Sequence, residues 1–380
     1  VIDAYAKETY YPTVIRYSLQ YEQNTNVNNT NRFFPANLDE YDRQRGDIQR
    51  LTSRGSQLRV YQNRGVGAVP VYQNVMQTAD GNSIVTQNLS VLNKIQYYQG
   101  EFGLGDQYCS LASSASADYF TDPIIGAQIR LSADGMTSLT ETYKAHYYFN
   151  DKLTKYQKTT SGGAPLPDKF ANGGYAKILG VYDVFEEQFT TCLQGSNDAT
   201  NPITQMTFAF SEARNCYVSF YDFYPEWICN AGNLIITWVS GELWAHNNTT
   251  SYANFYGTQY APSIKLVFNE QQNIKKHYNT ITTLGNTTWV APAVGDVNTN
   301  LKDSYTNLYQ QSQLVQGDFK IKDDKYHASF KRDYNSRGGL LNGVPLKGTW
   351  VELNLQPVNP QSLVDLYYVD LSILEPLNNR

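Results

Sequence analysis

The residue types that most often do chemistry are scarce and widely spaced in this chain of 380 residues. No two of its four histidines are three or four positions apart, so the sequence offers no helical pair of metal ligands. None of its four cysteines is in a CxxC pair, which argues against a zinc ribbon or a redox motif. We expect four reduced thiols, mostly buried as small apolar side chains, with one or two disulfides or an adventitious metal as the alternative. These residues are His146, His246, His277, His327, Cys109, Cys192, Cys216 and Cys229.

Four carboxylates near aromatic residues could supply the acid pair of a glycoside hydrolase, which needs two carboxyl groups facing each other across a cleft. Acidic residues at hairpin turns more often form solvated turns, because their side chains accept hydrogen bonds from nearby backbone N–H groups. We therefore predict turn residues here and keep a catalytic pair as the alternative. The four are Asp183, Asp222, Glu226 and Glu242.

The glycine-rich stretches do not match a nucleotide-binding pattern. GEFGLG at positions 100–105 has the spacing GxxGxG, which is the wrong order for a dinucleotide fingerprint. No GxSxG nucleophile elbow occurs in the chain. A Ser/His/Asp triad stays open, since its members would be distant in the sequence. We predict no catalytic residue, no cofactor and no metal.

The composition favours an all-β fold with minor helix. Charged residues make up 17% of the chain, below the usual quarter, while tyrosine alone occurs 31 times. Tyrosine and threonine suit pleated sheets, and asparagine and glycine suit turns. The net charge of −5 argues against tight binding to nucleic acid phosphates.

The sequence predicts no stable membrane insertion, because no apolar run approaches the about 18 residues of a transmembrane helix. No signal peptide is recognised. Since the first residue is Val1 and not methionine, we expect a processed product or part of a longer chain.

Strand-like runs alternate with tight turns through much of the chain. Ser240-Gly241 is a two-residue turn signal between two apolar runs. Paired strands at this density are typical of a propeller, a sandwich or a solenoid, and units alike in shape but not in sequence favour a β-propeller-like core. The predicted hairpins lie at 124–139, 177–193, 206–222, 233–246 and 263–281.

We predict three regions: a mixed N-terminal region at 1–99, a propeller-like hairpin region at 100–290, and a β-rich C-terminal domain at 291–380. Apolar residues at roughly helical spacing predict a short helix within 36–51, and a second short helix is expected within 301–315.

The aromatic-rich stretch 221–247 could be a catalytic pocket, a ligand platform or packed sheet. Both faces of its predicted strand 234–239 are largely apolar, as in a strand covered on both sides. We predict a structural core; the alternative is an aromatic platform for sugar, which requires an exposed Trp227 or Trp244. The predicted core residues are Tyr224, Pro225, Trp227, Trp238 and Trp244.

Several stretches occur in an order that points to one family. They include YYQGEFGLG, ADYFTDPIIGAQIRLSADGMTSL, KILGVYDVFEEQFTTCL and GDFKIKDDKYHASFKRD, and the most specific pattern runs from FYPEW to GELWAHN at 223–247. Taken together they resemble the tail nozzle proteins of short-tailed bacteriophages, in particular the muzzle proteins of crAss-like phages of gut Bacteroidetes.

The resemblance implies a structural virion protein of the phage tail, with no enzyme activity and no cofactor. It implies a β-propeller with appended β domains and a homo-oligomer, commonly a hexameric ring or tube, below the portal and adaptor rings. It further implies contacts with other tail proteins and transient passage of dsDNA. A weakly acidic wall suits a conduit that should not grip phosphates.

Two other functions stay open at this point. A carbohydrate-binding or glycan-degrading β-propeller for host recognition predicts a cleft with an exposed tryptophan and two carboxylates at catalytic separation. A secreted β-rich adhesin predicts an export signal and cross-links.

Overall fold

The computed structural model shows a β-rich protein with short helices, so the predicted all-β class is confirmed. It divides into two compact units, Val1–Asn247 and Asn248–Arg380. Among the described residues, no helix is both long enough and apolar enough to cross a membrane. The described residues are 11–19, 29–77, 83–157, 177–195, 205–248, 250–291, 299–302, 309–332, 343 and 345–374.

The first unit is built mainly from short antiparallel strands. In chain order its elements are β1 (Val14–Arg16), β2 (Leu38–Glu40), a 3₁₀ turn (Arg43–Arg45), β3 (Ile48–Arg54), β4 (Gln57–Gln62), β5 (Gly65–Gln77), β6 (Ser83–Leu92), β7 (Gln96–Tyr97), a 3₁₀ turn (Tyr108–Ser110), β8 (Ala112–Ser113), β9 (Asp118–Asp122), β10 (Ala127–Ser132), β11 (Gly135–Ser138), α1 (Leu139–Thr142), α2 (His146–Leu153), a 3₁₀ turn (Thr154–Tyr156), β12 (Ile178–Asp183), β13 (Gln188–Leu193), β14 (Met206–Ser211), β15 (Cys216–Tyr221), β16 (Trp227–Ala231), β17 (Leu234–Val239) and β18 (Glu242–Ala245).

Strands β3 to β18 form four successive sheets, and β1 pairs with β2 separately. Sheet 1 is β3–β7, sheet 2 is β8–β11, sheet 3 is β12–β15 and sheet 4 is β16–β18. Sheets 2 and 3 have the four strands of a propeller blade, whereas sheet 4 has three and sheet 1 has five. A propeller therefore stays a prediction.

Four of the five predicted hairpins are confirmed as β10–β11, β12–β13, β14–β15 and β17–β18. Each joins neighbours in sequence through a short turn, which is the kind of pairing that local sequence determines best. Ser240 and Gly241 both have positive φ, at 52° and 83°, as a two-residue hairpin turn requires.

Sheets 1 and 2 are joined by a buried carboxylate. Asp118 of β9 is 2% exposed and accepts hydrogen bonds from Tyr61 Oη at 2.6 Å and Arg54 Nη1 at 3.0 Å, as well as from Arg59. A buried charge is stable only when it is paired and hydrogen-bonded, so this contact fixes one sheet on the other. The apolar side chains around it are Tyr61, Val66, Leu104, Leu111, Phe120, Ala127, Ile129 and Leu131.

Sheets 2 and 3 meet through stacked aromatic rings. Tyr119 of β9 stacks on Tyr182 and Phe189, with ring centroids 5.3 Å and 5.2 Å apart. Beside them, Gln128 Nε2 donates to Thr191 Oγ1 at 2.7 Å, which adds a buried hydrogen bond across the same interface. The aromatic rings bury apolar area between the two sheets, and the hydrogen bond fixes the position of one sheet relative to the other.

Sheet 3 is covered on both faces. On one face, the ring of Phe149 from α2 stacks on Phe208 of β14 at 4.5 Å. On the other face, Thr207 Oγ1 donates to the carbonyl of Phe223 in the segment before sheet 4, and Asn230 Nδ2 of β16 donates to the carbonyl of Tyr182 at 2.6 Å. Since successive residues of a strand point to opposite faces, α2 and sheet 4 lie on opposite sides of sheet 3.

The second unit contains two five-stranded sheets that share one core. Its elements are β19 (Asn254–Phe255), β20 (Thr258–Gln259), β21 (Ile264–Phe268), β22 (Lys276–Gly285), β23 (Trp289–Val290), β24 (Thr299–Lys302), β25 (Tyr309–Gln311), a 3₁₀ turn (Gln316–Asp318), β26 (Lys320–Lys322), β27 (Lys325–Ser329), β28 (Lys347–Gly348), β29 (Val351–Pro357) and β30 (Leu366–Leu374). The first sheet contains β21, β23, β24, β25 and β29, and the second contains β22, β26, β27, β28 and β30. Strand β29 shows the expected alternation of buried and half-buried residues.

Two local predictions are wrong, and a third is not tested. The fifth hairpin does not form, because β21 pairs with β29 while β22 pairs with β27, β28 and β30. The helix expected within 36–51 is replaced by β2, a 3₁₀ turn and β3. In that segment sheet pairing overrides a weak local helical pattern. The helix expected within 301–315 stays a prediction, because residues 303–308 lie outside the described residues, between β24 and β25.

The boundary between the two compact units follows Asn247. This boundary lies inside the region 100–290, which the sequence predicts as one region. The predicted boundary at 291 is followed by residues 292–298, which lie outside the described residues. The division into three regions stays a prediction.

Replacing Asp118 should destabilise the first unit strongly. Asp118→Asn removes the negative charge and leaves the Arg59 guanidinium, which is 5% exposed, without its counter-charge. We expect a loss of about 3–5 kcal/mol in the free energy of unfolding, measured by urea denaturation. Asp134→Asn, at an exposed turn, is the matched control and should leave the stability unchanged; equal effects of both changes would contradict the role given to Asp118.

Asp122 gives the first unit a pH-dependent stability. Its carboxylate is fully buried and accepts N–H groups of Gly103 at 2.9 Å and Ile124 at 2.8 Å, but burial outweighs these bonds and raises its pKa from 3.8 to about 6. Because the folded state binds this proton more tightly, the stabilisation is complete below pH 4 and is lost as the pH rises through 6. At 1.36 kcal/mol per pKa unit the change is about 3 kcal/mol.

Urea denaturation of the wild type and of Asp122→Asn between pH 4 and pH 7 tests this. The difference in unfolding free energy, wild type minus variant, should fall by about 2.4 kcal/mol across that range, which is most of the full change. A difference that rises with pH would mean that hydrogen bonding to the carboxylate outweighs its burial and lowers the pKa of Asp122.

Candidate functional site

Two of the four thiols, Cys109 and Cys192, are buried in surroundings that disfavour the nucleophilic thiolate. All four cysteines are free, in agreement with the prediction of reduced thiols. Burial raises the pKa of Cys192 to about 12 and also raises the pKa of Cys109, so both stay protonated at neutral pH. Cys216 is exposed and Cys229 is half-buried.

Histidines and carboxylates are not assembled into a metal centre in the described part of the chain, where no group of three or more ligating side chains is found. His246 is hydrogen-bonded to Thr237, with 3.0 Å between Nε2 and Oγ1, and burial lowers its pKa. His327 makes a similar contact, with 3.0 Å between Nδ1 and Thr282 Oγ1. These rings satisfy threonine hydroxyls on neighbouring strands.

Two of the four candidate acids accept backbone N–H groups at turns. Asp183 Oδ1 accepts the N–H groups of Phe185 at 2.9 Å and Glu186 at 3.1 Å, which closes the turn between β12 and β13. Glu226 Oε1 accepts the N–H of Ser240 at 3.3 Å. The turn-forming interpretation is therefore confirmed for Asp183.

Gly103, in the glycine-rich stretch, is required by packing. A Cβ at this position would collide with the backbone carbonyls of Asn63 and Gln62, and its N–H donates to Asp122. The glycine permits the close approach of two backbone segments, which explains the motif without a nucleotide.

The most distinctive surface is one face of sheet 4, which we call the outer face. Trp227 is directly opposite Trp238, and Trp238 is directly opposite Leu243, so the three side chains form a row across the sheet. The next rows on this face are equally apolar. The outer face consists of Trp227, Cys229, Ala231, Leu234, Ile236, Trp238, Leu243 and Ala245.

The outer face is open to solvent in the single chain. Trp227 is 39% exposed, Trp238 36% and Leu243 62%. Lys177 Nζ lies 5.9 Å from the ring centroid of Trp227, at the margin of the face. None of the eight side chains is charged or strongly polar, so the face offers a partner apolar surface and little hydrogen bonding.

The opposite, inner face of sheet 4 is turned towards sheet 3. Ile228 is 6% exposed and Thr237 is fully buried, while Trp244, opposite Thr237, is half-buried. Phe223, just before the sheet, packs on the ring of His246 with 4.7 Å between centroids. The two faces therefore differ in environment, and the inner face also includes the polar residues Asn230, Thr237 and Glu242. The sequence predicts instead that both faces of the strand are covered.

The five predicted core residues are divided between these environments. Pro225 is buried and Trp244 is half-buried. Trp227, Trp238 and Tyr224 lie at the surface of the single chain, since the register turns the two tryptophans outwards and Tyr224 is 36% exposed. A packing role for these three stays a prediction that concerns an assembled form of the protein.

The exposure of Trp227 meets one requirement of a sugar platform. A carbohydrate site also needs polar side chains beside the aromatic ring, to bond the hydroxyl groups of the sugar. The outer face supplies none from its eight members, and Glu226 is engaged at a turn. The chemistry of this face fits a protein surface better than a sugar.

The fold and the outer face define a class of protein: a β-rich chain that presents an apolar contact surface, with no metal-binding cluster among its described residues. The model of the Crassvirus muzzle protein family matches residues 2–241, and the model of the muzzle protein C-terminal domain matches residues 250–333. The chain belongs to the Crassvirus muzzle protein family, whose members are structural components of the virion tail. No curated protein matches the chain.

Two tryptophan substitutions should separate the inner face from the outer face. Trp244→Ala should lower the free energy of unfolding by about 3 kcal/mol, because it opens a cavity against sheet 3. Trp238→Ala should change it by less than about 1 kcal/mol in a dilute, unassembled chain, because the ring is at the surface. Urea denaturation measures both, and equal losses would contradict the assignment of the two faces.

Proposed function

We propose that this chain is a subunit of an oligomeric ring or tube in the phage tail, commonly six copies, through which the genome leaves the particle. The observation that carries the proposal is the outer face of sheet 4, a contiguous apolar surface on which Trp227, Trp238, Leu234 and Leu243 are all exposed. Membership of a family of structural tail proteins supports the same conclusion.

The charge of the chain supports a conduit. A net charge of −5 and a pI of about 5.5 disfavour strong contacts with phosphates, so DNA would pass without being held. The partners in this role are further copies of the chain, the ring proteins on the portal side and other tail proteins. The role requires contacts between proteins and no reaction.

Assembly of the purified full chain tests this function. Negative-stain electron microscopy and mass photometry at micromolar concentration should show closed rings of uniform copy number, because identical subunits with two complementary surfaces close into rings. A chain that stays monomeric, or that binds oligosaccharides on a glycan array, would contradict the proposal and favour host recognition by sugar binding.

A further inference from the structure

A second apolar surface lies on α2 and β15, which we call the aromatic patch. Tyr147 is 95% exposed, Phe220 57% and Tyr148 46%. The rings of Tyr148 and Phe220 are in edge contact, with centroids 5.9 Å apart. Such a cluster of exposed aromatic rings is typical of a contact surface, since Tyr and Phe are enriched at protein interfaces.

The aromatic patch and the outer face cannot cover each other within one chain. Phe220 is opposite Phe208 on the face of sheet 3 that α2 covers, whereas sheet 4 lies on the side to which Thr207 points. The two surfaces are therefore separated by the thickness of sheet 3. A second copy of the chain can bring one of each together.

The charges around the two surfaces are complementary. Residues 215–264 contain no Lys or Arg, and the part around sheet 4 includes Asp222, Glu226 and Glu242. Against these three carboxylates stands Lys177, at the margin of the outer face beside Trp227. The helical segment of the aromatic patch carries lysines instead. Lys152 Nζ lies 3.6 Å from the ring centroid of Tyr148, and exposed Lys144 and the partly exposed Lys155 flank the patch, although Lys155 also pairs with Asp151 at 3.6 Å.

The area of the outer face suits a stable contact. With about 200 Å² for a complete aromatic side chain, its exposed tryptophans and leucines amount to about 400 Å². A standard interface buries about 800 Å² per partner, and its centre is more apolar than its rim. The outer face is thus large enough to be the apolar centre of such an interface, with the carboxylates at its rim.

We infer that the outer face of sheet 4 docks on the aromatic patch of a second copy of this chain. The contact is head-to-tail, because it joins two different surfaces, and repetition of it closes a ring when the rotation between copies permits. This inference rests on the proposed function and adds to it the two surfaces that meet. Opposite charges at the rim speed the encounter and fix its orientation.

Two variants and their mixture test the inference with the full chain. Leu243→Glu places a charge on the outer face, and Tyr147→Glu places one on the aromatic patch; both residues are mostly exposed, so neither change should unfold the chain. Each variant should associate at least about 30-fold more weakly than the wild type, as expected for the centre of an interface. Mass photometry and sedimentation velocity measure the association.

The mixture identifies the pairing. The Leu243→Glu chain retains an aromatic patch and the Tyr147→Glu chain retains an outer face, so one intact contact can form between them. An equimolar mixture should give dimers and nothing larger, while each variant is monomeric by itself. A mixture that stays monomeric would overturn the pairing of these two surfaces.

Leu51→Glu on β3 is the matched control, because Leu51 is a surface leucine outside both surfaces, 42% exposed. It should assemble like the wild type. Leu243→Ser, which removes the apolar group without adding a charge, keeps the test valid if circular dichroism shows that the glutamate variant is unfolded. The serine variant should also weaken the association.

The failures are distinguishable. If the wild type forms rings and Leu243→Glu forms them equally well, the inference fails and the proposed function stands. If the wild type is monomeric, both fail. If Leu243→Glu lowers the melting temperature but not the association, the outer face is covered by another part of the same chain, and the inference is overturned.

Discussion

The first unit depends on one constraint: each of its sheets is too narrow to be stable without the next. Sheet 2 supplies Asp118, which is stable in its buried position because three side chains of sheet 1 donate to it. Antiparallel sheets of three or four strands gain most of their stability from a covered face. The buried carboxylate and the stacked rings of Tyr119 and Tyr182 are therefore what keep consecutive sheets together.

The last sheet of the first unit, sheet 4, has an outer face that is apolar like the faces buried between the sheets. Sheet 3 is covered by α2 on one side and lies against sheet 4 on the other, whereas the outer face of sheet 4 has no such cover in the single chain. Burying an apolar face contributes about 25 cal/mol for each Å² removed from water. The free energy that joins sheets within the subunit is thus of the same kind as that expected to join subunits in a tail.

Local features of the fold could be predicted from the sequence, and non-local ones could not. The turn at Ser240-Gly241 and the alternating apolar runs determine the hairpin β17–β18, because a two-residue turn fixes the register of its own strands. The partner of β21 is β29, far along the chain, and nothing in the apolar pattern of β21 specifies that choice. The predicted helix at 36–51 failed for the same reason: burial against distant strands outweighs local propensity.

Of the eight residues of the outer face, the sequence singles out Trp227 and Trp238, and it predicts both as core residues without their exposure. The residue types of Ile235 and Ile236, which lie on opposite faces of β17, do not show which face is exposed, since both are equally apolar and both are half-buried. The difference arises from what lies against each face, which depends on sheet 3. The turn role of Asp183 was predictable, because acidic residues at tight turns accept backbone N–H groups.

Trp227 and Trp238 are two of the five tryptophans in the chain, and they stand side by side at the surface while Trp289 is 6% exposed. Indole emission moves to shorter wavelengths when water is removed from the ring. The intrinsic fluorescence of the protein consequently carries an unlabelled optical signal for any event that covers this pair, and the buried ring supplies a constant background.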